Sequence, residues 1–140
     1  MRFFLLLPLS ALLALPAQAQ TQACRIDPAA VVGRLAELEQ SYSLVRSDLG
    51  CDVPTLPAHL LMCDAALDPA AVIWRMGRLD DLAWVYAMEN ATGQDVDDAN
   101  HPLDQDFIAR RDACTDEACL CDVLIKHTND SLGGTSPYPQ

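Results

Sequence analysis

The sequence predicts an all-α fold, a small disulfide-stapled domain of about four to five helices. Three observations carry this. Apolar residues recur at helical spacing along most of the chain, Asp, Pro and Gly stand where helices start and stop, and six cysteines follow an export-type leader. Nothing in the chain reads as a strand.

Residues 1–19 read as a cleaved secretory signal. Met1-Arg2 supplies a positive charge, Phe3 to Leu15 is an almost unbroken apolar run, and Ala17-Gln18-Ala19 has the small-x-small spacing of a cleavage site. Pro8 and Pro16 interrupt the run, which is too short for the roughly 20 apolar residues of a membrane-spanning helix. Thr21-Gln22-Ala23 also lacks the Leu that usually precedes a lipidated cysteine. The mature chain is expected to start at Gln20, without stable membrane insertion, as a single domain over 20–134.

The first helix is expected from Asp27 to Gly50. Asp27 suits the N-cap, Pro28 the first helical position and Gly50 the stop, while Val31, Leu35, Leu38, Tyr42, Val45 and Leu49 share one face. Thr55 to Leu67 reads as a shorter helix entered through Pro54 and Pro57. A second Asp-Pro-Ala-Ala-Val opening at Asp68 begins a long helix in which Val72, Met76, Leu79, Ala83, Tyr86 and Asn90 keep the same spacing. The likeness of the two openings fades after Arg34/Arg75 and Leu38/Leu79, so it reads as shared capping chemistry rather than duplication. Thr92 to Pro102 is polar, acidic and without apolar period, the main exposed loop. Helices resume at about Leu103 to Cys114 and Asp116 to Leu132, Gly133-Gly134 ends the last, and 135–140 is expected to be a flexible tail.

Composition narrows the function. The chain carries 9 Lys+Arg against 20 Asp+Glu, a net charge of −11. Such a surface repels nucleic acid and anionic membrane and favours cationic partners, although charge of one sign also simply keeps an exported protein soluble. All six cysteines lie beyond the leader, and an even number in an exported chain is most simply read as three disulfides, which points to a periplasmic or secreted location.

No motif asks for a cofactor or a metal. Cys119-Leu120-Cys121 with His127 and Cys114 fits no usual zinc spacing, and neither the redox CxxC nor the haem CxxCH is present. His59 lies beside Leu60 and Leu61, His101 precedes Pro102, and His127 follows a turn that contains Leu124, none with a recognisable nucleophile neighbour. Asp80-Asp81, Asp97-Asp98, Asp104 and Asp106 offer paired carboxylates, but in charged segments expected to be solvated, where a raised pKa is not expected. No catalytic residues are assigned, and the chain is not expected to be an enzyme.

Arg111-Asp112-Ala113-Cys114, four residues, then Cys119-Leu120 resembles the RDxC…CL signature of the LprI-type domain, a family named after a mycobacterial lysozyme inhibitor. Cys51 and Cys63 have the twelve-position spacing of that family's first cysteine pair, with Pro57 and Met62 near its usual Pro and apolar residue, and Leu79-Asp80 followed by Tyr86 is similar to its LD…Y helix. The resemblance covers roughly Gly50 to Leu132. Phe107 stands where the family usually has Trp, His59 where it tends to have an acid and Leu124 where a Tyr is common, while Cys24, Cys121 and the first helix lie outside the pattern.

The resemblance implies a helical domain that binds lysozyme and blocks its action on peptidoglycan, with an envelope interaction module for another protein partner as the alternative. It also frames the cysteines, of which fifteen pairings are formally open. Cys51–Cys63 follows the family pair, Cys114 and Cys119 are close enough for a local bridge if the backbone turns near Thr115, and Cys24–Cys121 then clamps the extra first helix onto the last. Arg111 and Asp112 are expected to bond loop carbonyls and cap the following helix rather than touch a partner. Partner contact is assigned to the acidic strip of Asp95, Asp97 and Asp98, continued by Asp104 and Asp106, on an exposed loop where recognition residues concentrate.

Overall fold

The computed structural model describes residues 24–45 and 47–140. The expected leader, residues 1–19, lies outside the described residues. The described residues form five helices, α1 Pro28–Leu38, α2 Pro57–Ala65, α3 Val72–Thr92, α4 Gln105–Asp112 and α5 Glu117–Leu132, followed by a 3-10 turn at Gly133–Thr135. There is no strand among the described residues. The fold is all-α, as the helical period and capping residues imply.

The central helix is α3. It packs most extensively against α5 and next against α1, while α2 and α4 close the remaining sides. Met76, Leu79, Leu82 and Ala83 of α3 and Leu120 and Leu124 of α5 are almost wholly excluded from solvent, with Val31 and Leu38 of α1 and Met62 of α2 completing the core. At Gly77 the approach of α2 is close enough that a Cβ would lie 2.6 Å from the Met62 methyl carbon. Gly93 ends α3 in the left-handed region, with φ 67°, where a side chain would be strained.

The first helix departs from its expected length. The apolar period runs to Leu49, yet α1 stops at Leu38 and the backbone folds back through a turn in which Ser41 and Tyr42 N–H bond the Leu38 carbonyl. Tertiary contacts override the period here. Continued to Leu49, the helix would have carried its end roughly 16 Å further along its axis. Folding back instead sets Tyr42 edge-on against Tyr86 with ring centroids 5.5 Å apart, buries Val45, and delivers Asp48 to Arg111 and Cys51 to Cys63.

The two Asp-Pro-Ala-Ala-Val stretches also diverge. Asp27 caps α1 through the Ala29 N–H, and Pro28 takes the first helical position. Asp68 makes the same bond to Ala70 N–H, but the turn does not propagate and α3 begins only at Val72, with Arg75 Nε donating to the Pro69 carbonyl. The remaining ends are shorter than expected by a few residues, and α5 is capped by Asp116, which accepts from Cys119 N–H.

The tail, expected to be flexible, is packed down. Tyr138 is buried at 3 % exposure, Asn129 Nδ2 donates to the Pro139 carbonyl, and Arg34 of α1 reaches Thr135. The two prolines prevent helix but leave the apolar Tyr138 ring to seek the core.

Three disulfides staple the fold. Cys24–Cys121, Cys51–Cys63 and Cys114–Cys119 have Cα separations of 5.3, 5.6 and 5.5 Å, within the range a bridge requires. Cys24–Cys121 ties the start of the described chain to α5, and Cys114–Cys119 spans the α4–α5 corner. Such bridges persist in an oxidising compartment. No helix among the described residues is long and apolar enough to cross a membrane.

Candidate functional site

Two groups of charged side chains meet around Phe107, where α3, α4, α5 and the Asp48 segment converge. In the first, Asp80 of α3 is buried at 2 % exposure and receives three bonds. His127 Nδ1 lies 2.9 and 2.8 Å from its two oxygens, and the Thr128 hydroxyl donates at 2.8 Å. The other ring nitrogen of His127, Nε2, is 3.4 Å from Asp104 Oδ2. Phe107 stacks on the imidazole with centroids 4.0 Å apart, and Trp84 lies 5.3 Å away, so the ion pair has aromatic neighbours.

The second group centres on Arg111, 4 % exposed. Its Nη1 and Nη2 donate to both oxygens of Asp48 at 2.8 Å, a bidentate pairing suited to a planar guanidinium, and its Nε donates to Asp112 at 2.9 Å. Asp112 also meets His59 Nε2 of α2 at 2.9 Å. Arg111 Cζ lies 5.8 Å over the Phe107 ring, so Phe107 contacts both charged systems.

Burial and pairing pull the titrations in opposite directions. Burial works against the charge of His127, but the bond and charge of Asp80 and the charge of Asp104 outweigh it and hold the imidazolium above the ordinary histidine range. Burial raises the Asp80 carboxyl despite His127 and Thr128. Asp81 is pushed up to about 7, by burial first and then by the neighbouring charges of Asp80 and Asp48. The Phe107 N–H, donated to the Asp104 N-cap at 2.9 Å, keeps that carboxyl below its usual range. Burial opposes the charge on Asp112, yet bonds from Arg111 and His59 bring it below the carboxylate norm.

These findings correct several expectations. Asp80 and Asp81 are not in a solvated segment: Asp80 is in the core, Asp81 is only partly exposed, and both have raised pKa values. His127 is not a bystander of Leu124 but half of a buried ion pair, and His59 bonds Asp112. Arg111 bonds carboxylates rather than loop carbonyls, and Asp116 rather than Asp112 caps α5.

The arrangement resembles an acid–base dyad in part, with a carboxylate orienting Nδ1 of a histidine. No hydrogen bond joins Nε2 to a described residue, and the nearby Thr128 hydroxyl is turned to Asp80. The dyad therefore has no activated nucleophile beside it among the described residues. Among those residues, no group of three or more His, Cys, Asp and Glu is placed to hold a metal ion.

The acidic strip is split between structure and surface. Asp95, Asp97, Asp98 and Asp106 are exposed, whereas Asp104 is drawn to Phe107 N–H and His127. The loop is held by its own bonds. Val96 N–H donates to Glu89, Asn100 Nδ2 to the Asp95 carbonyl, and Trp84 Nε1 to the Pro102 carbonyl at 2.6 Å. Asp97 Oδ1 accepts from the Ala99 and Asn100 N–H groups.

No protein-family model, curated protein or solved structure matches the chain.

Proposed function

We propose that this protein is an exported binding protein that presents an acidic, preformed loop to a cationic protein partner in the bacterial envelope or outside the cell. Lysozyme is the partner that the LprI-type resemblance suggests. The observation that carries the reading is the 93–104 loop, which is pinned internally and to α3 by the bonds above yet exposes Asp95, Asp97 and Asp98, with exposed Asp106 beyond it. A loop already ordered loses less entropy on binding, and exposed carboxylates steer a cationic partner during approach.

The charge distribution supports it as well. Arg34, Arg78, Arg111 and Lys126 are engaged with carboxylates of the same chain, which leaves the surface dominated by acids. The test is lysis of bacterial cell walls by lysozyme in the presence of the mature protein. Inhibition at stoichiometric amounts is expected, and its absence at excess moves the reading to a different envelope partner.

A further inference from the structure

Among the described residues six large apolar side chains are exposed, and four of them, Val53, Leu56, Leu60 and Leu67, fall on or beside α2. Val53 is 81 % and Leu67 85 % exposed, with Leu56 and Leu60 at 37 % and 45 %. Their spacing is helical. Leu56, Leu60 and Leu67 stand four and seven positions apart, and the Ala66 and Leu67 N–H groups, bonded to the Met62 and Asp64 carbonyls, carry the turn of α2 on to Leu67. The opposite face holds Ala58 and Met62, both buried, with Leu61 and Ala65 packed against the same core. α2 is thus apolar on both sides, the pattern of a helix covered all round, yet one side faces solvent. Leu56 also occupies the N-cap without a side-chain cap bond, at a position where Ser, Thr, Asp or Asn is preferred. Singly scattered apolar residues are ordinary on a surface, but a grouping of this kind marks an interaction site.

We infer that this outer face of α2 docks a basic amphipathic helix of a partner protein, whose apolar stripe covers Leu56, Leu60 and Leu67 while its Lys and Arg side chains meet the acids at the rim. Charge selects the occupant. Residues 47–74 contain no Lys or Arg but four Asp, of which Asp52, Asp64 and Asp68 are exposed near the stripe. The next cation along the chain, Arg75, donates through Nε to the Pro69 carbonyl. A second copy presents the same acids and a net charge of −11, and an anionic membrane surface is repelled likewise. Shape selects a helix. From Leu56 to Leu67 the stripe runs roughly 16 Å, about three turns, and two helices pack ridge into groove along such a length. An extended segment finds no sheet edge among the described residues to satisfy its backbone.

The Cys51–Cys63 bridge fixes the surface. Cys63 lies on α2 and Cys51 on the segment entering it, so Val53 and Leu56 are held beside the helix. The face is separate from the acidic loop of the proposed function. α2 meets α3 at Gly77, and the loop leaves α3 at Gly93, roughly 24 Å further along that helix. Docking on α2 does not depend on the loop.

The experiment is fluorescence anisotropy of labelled peptides of about 18 residues, long enough to be helical when bound, titrated with the disulfide-bonded mature protein. One is a Leu/Lys peptide with its leucines on one helical face, one a scrambled peptide of the same composition, and one a Leu/Glu peptide with the first pattern. The amphipathic Leu/Lys peptide should bind saturably, more weakly as salt is added, and each of the others at least about tenfold less tightly. Leu60→Gln with Leu67→Gln should reduce that binding at least about tenfold with thermal unfolding unchanged, since both side chains are exposed. Asp95→Asn, Asp97→Asn and Asp98→Asn together should leave it within about twofold, which separates this face from the loop. Backbone amide shifts of the wild type should move at 53–67 and not at 93–104 when the peptide is added, a readout that needs no variant. Equal binding by wild type and the leucine variant, or amide shifts confined to 93–104, overturns the proposal. A dimer in sedimentation equilibrium that the leucine variant abolishes overturns the choice of occupant and assigns the face to a second copy. Binding to phosphatidylcholine vesicles that the same variant abolishes overturns it in favour of lipid.

Discussion

His127 Nδ1 lies 2.8 Å from one carboxylate oxygen of Asp80 and 2.9 Å from the other, across 47 positions of sequence. The contact joins α3 to α5 at the centre of the domain, where an unpaired charge is costly. His127→Ala should therefore cost about 3–5 kcal/mol in urea unfolding at neutral pH, because it leaves Asp80 buried with Thr128 as its remaining side-chain donor. The pair also predicts a pH dependence. His127 titrates above the ordinary histidine value in the folded protein, so its contribution is complete below about 6.5 and lost as pH rises through the folded value. Stability should decline on the alkaline side, and His127→Gln should remove that part of the decline.

Asp81 predicts a separate acid-side effect. Its folded value of about 7 lies above the unfolded one, so the native state holds the extra proton and stability falls as pH rises from about 4 to 7. Asp81→Asn should flatten this slope and stabilise the protein above pH 7, by on the order of 1–3 kcal/mol given partial solvent access. Guanidinium unfolding at pH 5 and pH 8 checks the sign.

Arg111 separates structure from recognition. Arg111→Ala removes the bidentate partner of Asp48 and a partner of Asp112, with an expected loss of about 3–5 kcal/mol, and Arg111→Lys should recover only part, since an ammonium cannot match the fork. Unchanged thermal stability with lost partner binding would assign Arg111 to the interface instead.

The staples differ in the loops they close. Cys24–Cys121 spans 97 positions and Cys114–Cys119 spans 5, so chain entropy predicts losses of about 4.7 and about 2 kcal/mol when each pair is replaced by alanine. Peptide mapping without reduction should find Cys24 linked to Cys121.

Much of the fold is legible in the sequence because helices announce themselves locally. The Asp27-Pro28 cap, the α3 period from Val72 and the Gly133 stop are one-dimensional signals. The end of α1 is not, because the period through Val45 and Leu49 is shared by a helix and by a folded-back segment whose course depends on Arg111, more than sixty positions away. The buried charges left a trace that composition hides. Asp80 falls on the apolar stripe of Met76 and Ala83, and His127 on that of Leu120 and Leu124, so each is a charged residue at a core position that needs an opposite charge across the helix interface. Asp81, one position on, has no such trace: it lines a cavity together with Leu44, Val45 and Leu49.

The acidic loop is proposed to recruit a cationic protein partner, with lysozyme as the first candidate. Stopped-flow association of the mature protein with lysozyme should be fast at low salt and slow steeply as salt is added. Asp95→Asn, Asp97→Asn and Asp98→Asn together should slow association several-fold more than they speed dissociation. The Asn side chain at 97 can still accept the Ala99 and Asn100 N–H bonds, so the loop itself should hold. Association that is unchanged in the triple variant at low salt would contradict the account and remove the loop from the interface.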